Sequence, residues 1–349
     1  MKLGLAGFPQ VGKRTLFKLL TGLSGDNKVG TGPVRDPRFD HLTGLYGPAK
    51  ETPAVVEFVL LPDLDLEAER NAQALASLDD VDAICHLVRC FADDSVFHLA
   101  GSVDPERDIR LFAEELQLTD MVFIEKRLDR MTREQKGKKP DARASLEAAL
   151  LPRMQAHLEE GQPLSAFVFS EEEVKLVASY PLLSRKTLIN VLNVDEDRAA
   201  DESQLQQLAQ VFQSGGFAWI TVSARIEEEL AQLEDEERQA FLDDLGLEQP
   251  ALDRLSQLCY AALGLMSFFT VGEDEVRAWT IRQGSLAPQA GRAIHTDIER
   301  GFIRAEVMKF TDLVELGDEA QVKTAGRLQV KGRDYPVEDG DIIHFLHKA

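Results

Sequence analysis

Positive charge is the first thing this sequence is short of: 39 Lys and Arg stand against 60 Asp and Glu, a net charge of −21. Non-specific binding to nucleic acid needs a basic face, so any RNA contact must be local or shared with a partner protein. Cysteine is scarce too. Cys85, Cys90 and Cys259 are odd in number and sit in apolar surroundings, which excludes a disulfide frame and fits reduced core thiols in a cytoplasmic protein. No apolar run is long enough to span a bilayer, so no membrane partner is expected. A signal peptide would have to overlie the first apolar strand, which argues against one. There is no Ser/His/Asp order, no HExxH and no Cys–His cluster to support hydrolytic or metal chemistry. Glycine is missing altogether from Glu51 to Ala100.

What is present has clear organisation. A chain of 349 residues is too long for one ordinary core, so two or three domains are expected. MKLGLAGF is a short apolar strand, and Leu16, Leu19, Leu20 and Leu23 then fall on one face of a helix. Further apolar runs at 53–61, 81–91, 187–194 and 217–223 lack strict alternation, which suits strands buried on both faces of a mainly parallel sheet. From about Leu111 to Arg185 the chain turns to Glu, Leu, Arg and Lys at helical spacing, predicting two long antiparallel helices with the basic run REQKGKKPDAR (133–143) at their tip. From about Leu265 onward, FFTVG, VRAWTI, GFIRAEVM and VEDGDIIHF are short strand signals of a separate β-rich module.

The stretch GFPQVGKRT fills most of a phosphate-binding loop, G-x-x-x-x-G-K-[ST], with Gly7, Gly12 and Lys13 and with Pro9, Gln10 and Val11 between them. Strand, glycine loop and helix is the context such a loop requires. Backbone N–H groups would wrap a phosphate, and Lys13 would reach the outer phosphates. Arg14 stands where a Ser or Thr hydroxyl normally holds Mg²⁺, and Thr15 points about 100° further round the helix.

The phrases GFPQVGKRTLFKLLT, RDPRFDHL, VEFV, HLVRCFADDSVFHLAG, NVDED, AWTI, APQAG, IHTDIERGFIRAEV and VEDGDIIHF resemble the YchF or Obg-like ATPase family over nearly the full length. The resemblance implies an α/β fold: a P-loop GTPase-like, mainly parallel sheet (1–110 and 186–262), an inserted helical hairpin (111–185) and a C-terminal TGS domain of ubiquitin-like β-grasp fold (263–349). Members of the family hydrolyse ATP in preference to GTP and associate with ribosomes. Asn193, Val194 and Glu196 match the family's N-x-x-E, which replaces the NKxD of true GTPases. Without that Asp guanine loses its discriminating partner, so adenine is expected. Ser223 and Ala224 fit the family's last base-contacting loop.

The resemblance also exposes losses. Aligning VEFV with the family puts Leu60 at the metal-supporting Asp of D-x-x-G and Asp63 at its Gly. The glycine-rich switch becomes LPDLDLEAERNAQALASL, read as strand, short turn and helix. The first switch is too short and lacks its metal-facing Thr, because Thr31 aligns with a downstream TG. Losing metal supports and switches should cost most of the hydrolytic rate. No catalytic and no metal-ligating residue is therefore assigned. Arg14 could replace the missing cation or could turn to solvent or pair with Asp63 or Asp65. Lys136, Lys138, Lys139, Arg133 and Arg143 could meet ribosomal RNA phosphates or stay a solvated loop. His86 and His98 read as core or hydrogen-bonded residues, His295 as a fold-fixing one, and Arg89 as a tie through Asp93 or Asp94. Three functions stay open: a hydrolysis-impaired ATP- or GTP-binding regulator linked to the ribosome, an ATPase with a rebuilt metal site, and an adaptor whose pocket is vestigial.

Overall fold

The computed structural model describes residues 2–134 and 141–348. The chain divides into two compact units, Met1–Gly30 with Glu57–Leu252 and Thr31–Val56 with Asp253–Ala349. Its strands are β1 (Lys2–Ala6), β2 (Val29–Pro33), β3 (Lys50–Thr52), β4 (Val55–Leu60), β5 (Ala83–Arg89), β6 (Thr187–Asn193), β7 (Ala218–Val222), β8 (Leu265–Thr270), β9 (Glu275–Arg282), β10 (Phe302–Lys309), β11 (Gln329–Lys331) and β12 (Asp341–His347).

The first sheet has the order β2-β4-β1-β5-β6-β7. Strand β1 runs parallel to β4 and β5, and β5, β6 and β7 continue in parallel. Every residue of β5 is buried, and in β6 all but Thr187 are. Such strands have no solvent face, which is why the sequence shows unbroken apolar runs there instead of alternation. The segment after β4 forms a one-turn helix at Ala68–Arg70 and a helix at Ala72–Ser77.

Two long helices, Pro105–Glu134 and Ala142–Glu159, pack on one another. The first starts six residues ahead of the expected Leu111, because Asp104 takes a hydrogen bond from Arg107 N at 3.1 Å and Pro105 fits the opening turn. Asp141 caps the second helix by accepting from Ala144 N at 2.7 Å. The second helix ends at Glu159, short of Arg185, with shorter helical pieces at Leu164–Ala166 and Glu171–Val177 beyond it. Ile124, Met131, Leu150, Leu151 and Met154 form the seam. Above them the buried Glu147 carboxylate accepts two bonds from Arg127, at 2.5 and 2.9 Å, and a third from the Tyr180 hydroxyl. Lys136, Lys138 and Lys139 of the basic run lie outside the described residues.

The second unit holds a mixed sheet in the order β11-β10-β12-β8-β9-β3. Strands β8 and β9 form an antiparallel pair, β12 lies parallel to β8, and β10 is antiparallel to β12. A central last strand beside the first, with the helix Ala287–Ile294 packed on the sheet, is the β-grasp arrangement. Phe268, Phe302 and Phe345 fill its core with edge-on ring contacts at 5.8 and 6.3 Å. Asp341, fully buried, accepts from Lys309 Nζ at 2.6 Å, Tyr335 Oη at 2.8 Å and Glu338 N at 2.9 Å. Residues 31–56, counted with the nucleotide-binding domain in the sequence reading, lie in this unit, where β3 pairs in parallel with β9. His295 has a fold role here: its Nδ1 accepts from Asp297 N at 3.2 Å and caps the helix Thr296–Gly301.

Candidate nucleotide site

The site is built at the carboxyl ends of β1, β5, β6 and β7, where an open parallel sheet leaves its crevice. Between β1 and the helix Lys13–Thr21 the backbone takes φ of +145° at Gly7, +59° at Gln10 and +100° at Gly12. Space excludes side chains as firmly as the dihedrals do. A Cβ on Gly7 would lie 2.6 Å from Leu87 O, and one on Gly12 would lie 2.5 Å from Asn193 Nδ2. Gln10, a non-glycine in the left-handed region, stores strain of about 1 kcal/mol, as residues at ligand-binding turns often do.

Lys13 opens the helix with its side chain only 4% exposed. Its Nζ donates to Gly7 O at 2.7 Å and Pro62 O at 3.2 Å and pairs with Asp63 Oδ1 at 2.7 Å. Burial pulls the ammonium below its ordinary pKa, against the opposing pull of Asp63. Arg14 is exposed and makes no ion pair among the described residues. Asp65 pairs with Arg70 at 3.3 Å instead.

The opposite wall comes from the ends of β6 and β7. Asn193 Nδ2 donates to Val11 O at 3.0 Å, and its Oδ1 accepts from Ala224 N at 3.1 Å. One side chain thus ties the loop to the start of the helix Ala224–Leu230. Val194 is buried and donates its N–H to Val222 O at 2.9 Å. Asp195 Oδ1 accepts from Ala92 N at 3.3 Å, which joins this wall to the segment after β5. Glu196 Oε1 meets Arg225 Nε at 2.8 Å. Ser223 is buried, and its Oγ has no hydrogen-bond partner among the described residues.

These walls enclose a cleft of about 630 Å³, within the size range of small-molecule sites. Pro9, Gln10, Gly12, Lys13, Arg14, Thr15, Asn193, Val194, Glu196, Ser223 and Ala224 line it together, although the motifs stand some 180 positions apart. Gly7 and Val11 do not line it; they shape the loop behind it. Sequence reasoning missed a third wall of Phe91, Ala92 and Val96, as well as the part played by Arg225 and Glu228. Arg89, buried at the end of β5, holds that wall through the carbonyls of Phe91, Asp93, Val96 and Phe97 and stacks 4.5 Å from the Phe91 ring. Its tie to position 93 therefore runs through the backbone, where the sequence suggested the carboxylates of Asp93 or Asp94. His86 belongs to β5, its ring stacked on Phe112 at 4.1 Å with Nδ1 3.0 Å from Asn190 Oδ1, and burial pushes its pKa down to about 4. His98 accepts from Ala100 N at 3.2 Å and stands 3.3 Å from Asp108.

Comparison with known proteins agrees with this geometry. Residues 265–348 match the YchF-GTPase_C family, described as a protein of unknown function. The chain is 40% identical over 359 residues to the ribosome-binding ATPase YchF of Bacillus subtilis, covering 98% of each. It is 35% identical to Obg-like ATPase 1 of Caenorhabditis elegans, covering 100% of this chain and 92% of that one. The structure of the Schizosaccharomyces pombe YchF GTPase superposes with a TM-score of 0.87 at 31% identity, covering 99% of this chain and 97% of the other. With a phosphate-loop sheet, a helical hairpin, a β-grasp module and full-length similarity all in agreement, this chain belongs to the YchF/Obg-like ATPase family.

Proposed function

We propose that the cleft binds a purine nucleotide, ATP in preference to GTP, without Mg²⁺ and without useful hydrolysis, and that the chain acts as a ribosome-linked regulator in the cytoplasm. The observation that carries this reading is the cationic pair at the helix start: Lys13 buried beneath the loop and Arg14 exposed beside it, where a hydroxyl would serve a metal. Mg²⁺ asks for about six oxygen ligands in near-octahedral array. The donors here do not suit it, because a guanidinium replaces the helix hydroxyl and Asp63 is engaged by Lys13. A site rebuilt on Thr15 with Asp63 or Asp65 is disfavoured for the same reason, since Asp65 is also paired, with Arg70. Phosphoryl transfer relies on positioning and charge neutralisation, and a fixed cation supplies only part of the second.

Adenine is favoured because position 196 carries Glu, already held by Arg225, where a guanine site would place an Asp to receive two donors. The ribosome link rests on the names of the relatives, ribosome-binding ATPases among them, and on the basic run between the long helices. Recognition of phosphates by such a run, indifferent to base sequence, would be local, as the net charge of −21 requires.

Calorimetric titration of ATP and GTP, each with Mg²⁺ or with EDTA, tests the reading on the wild type, Lys13→Ala and Arg14→Ser. Expected are ATP affinities within about threefold with and without the metal, loss of binding in Lys13→Ala, and about a tenfold drop in EDTA for Arg14→Ser, the worth of a charge-assisted contact. Abolition of wild-type binding by EDTA, or unchanged affinity in Lys13→Ala, would overturn it.

A further inference from the structure

The segment after β4 is pinned against the phosphate loop on both sides of Asp63. Leu61 N donates to Leu5 O at 3.2 Å and Leu64 N to Gly7 O at 3.3 Å, and both leucine side chains are buried. The two residues between them face Lys13. Pro62 O lies 3.2 Å from Nζ and Asp63 Oδ1 lies 2.7 Å from it, while Gly7 O supplies a third contact at 2.7 Å. An ammonium has three N–H donors, so its capacity is filled. Two of the three acceptors are backbone carbonyls held by the fold. The third, the Asp63 carboxylate, is 53% exposed and lines the cleft.

In a phosphate loop the lysine bridges the two outermost phosphates of a triphosphate. Here one of those anionic positions is supplied by the protein. We propose that Asp63 stands in for the terminal phosphate, so that the ligand class of this cleft is a purine nucleoside diphosphate and a triphosphate is disfavoured. This rests on the nucleotide-binding reading above and deepens it. The Asp63 side chain can rotate, but its backbone has no ready path of retreat. Its neighbours at 61 and 64 are buried and hydrogen-bonded, and no glycine between Glu51 and Ala100 offers a hinge. A terminal phosphate placed against Lys13 would displace or sit beside a like charge with no metal to screen it. A diphosphate avoids that contact. Its end meets the backbone N–H groups of the loop and the exposed Arg14, which supplies the positive charge that Lys13, engaged by Asp63, does not.

Calorimetric titration of the full chain with ADP and with ATP, in EDTA, tests the assignment. The wild type is expected to bind ADP at least about tenfold more tightly than ATP, the effect of one like-charge contact in a partly buried site. Asp63→Asn keeps the size and the backbone contacts, and it should bring the two affinities within about threefold by raising that for ATP. Asp63→Ser should do the same, and thermal melting of both variants establishes that they are folded. Wild-type binding of ATP as tight as or tighter than ADP, or an unchanged ratio in both folded variants, overturns the diphosphate assignment and leaves nucleotide binding standing. Absence of any binding by either nucleotide overturns both.

Discussion

Asn193 is the side chain on which the geometry of the cleft turns, and removing it has a calculable cost. Its two hydrogen bonds, to Val11 O at 3.0 Å and from Ala224 N at 3.1 Å, are both buried. Each is worth about 1 kcal/mol net, and leaving a buried partner unsatisfied adds a further penalty, so Asn193→Ala should destabilise the first unit by about 2–4 kcal/mol. Gly12→Ala should also destabilise it. The left-handed backbone costs an L-residue about 1–2 kcal/mol, and the new Cβ would stand 2.5 Å from Asn193 Nδ2. That second contribution disappears once Asn193 is Ala. The double variant should therefore be more stable than the sum of the single effects predicts, by about 1 kcal/mol or more. Urea unfolding followed by Trp219 fluorescence measures this, in a Trp279→Phe background that leaves one tryptophan, on β7. Costs that add to within about 0.3 kcal/mol would refute the claim that Gly12 is required by the Asn193 bridge.

Two further outcomes follow from buried ionisable groups. His86 has its pKa pushed down to about 4 by burial, against about 6.5 in an unfolded chain. Between those values the unfolded state binds more protons, so stability rises with pH across the window: the contribution is complete above about pH 6.5 and is lost as pH falls toward 4, a change of about 3 kcal/mol. Urea unfolding at pH 4.5 and 7 should show this slope in the wild type and lose it in His86→Phe; the same slope in both would exclude His86 as its source. Glu147, buried and bound by Arg127 and Tyr180, anchors the long helices. Glu147→Ala should cost about 3 kcal/mol in urea unfolding, as broken buried pairs do, and a loss under about 0.5 kcal/mol would show the pair to be dispensable.

Much of this architecture was legible because buried parallel strands leave a mark in the sequence. The runs at 81–91 and 187–194 became β5 and β6, with almost no exposed residue in either. The loop was legible for a different reason, since Gly7 and Gly12 occupy backbone conformations and spaces that other residues cannot. Contacts between distant positions carried no local signal. Nothing in LPDLDLE announces that Pro62 and Asp63 hold Lys13, about 50 positions earlier. Arg89 reads as a charged residue ending an apolar run, and only the fold shows its guanidinium gathering four carbonyls to build a wall of the cleft. Strand β3, three residues long, is too short for any periodicity, so its pairing with β9 and the placing of residues 31–56 in the second unit could not be read from the sequence.

The central claim is that the cradle for phosphates persists here without the metal and switch chemistry that breaks them. Release of inorganic phosphate by the purified wild-type chain, given saturating ATP and millimolar Mg²⁺, tests it most directly. The account predicts release no faster than that of Lys13→Ala under the same conditions. Turnover that needs Mg²⁺ and vanishes in Lys13→Ala would contradict it.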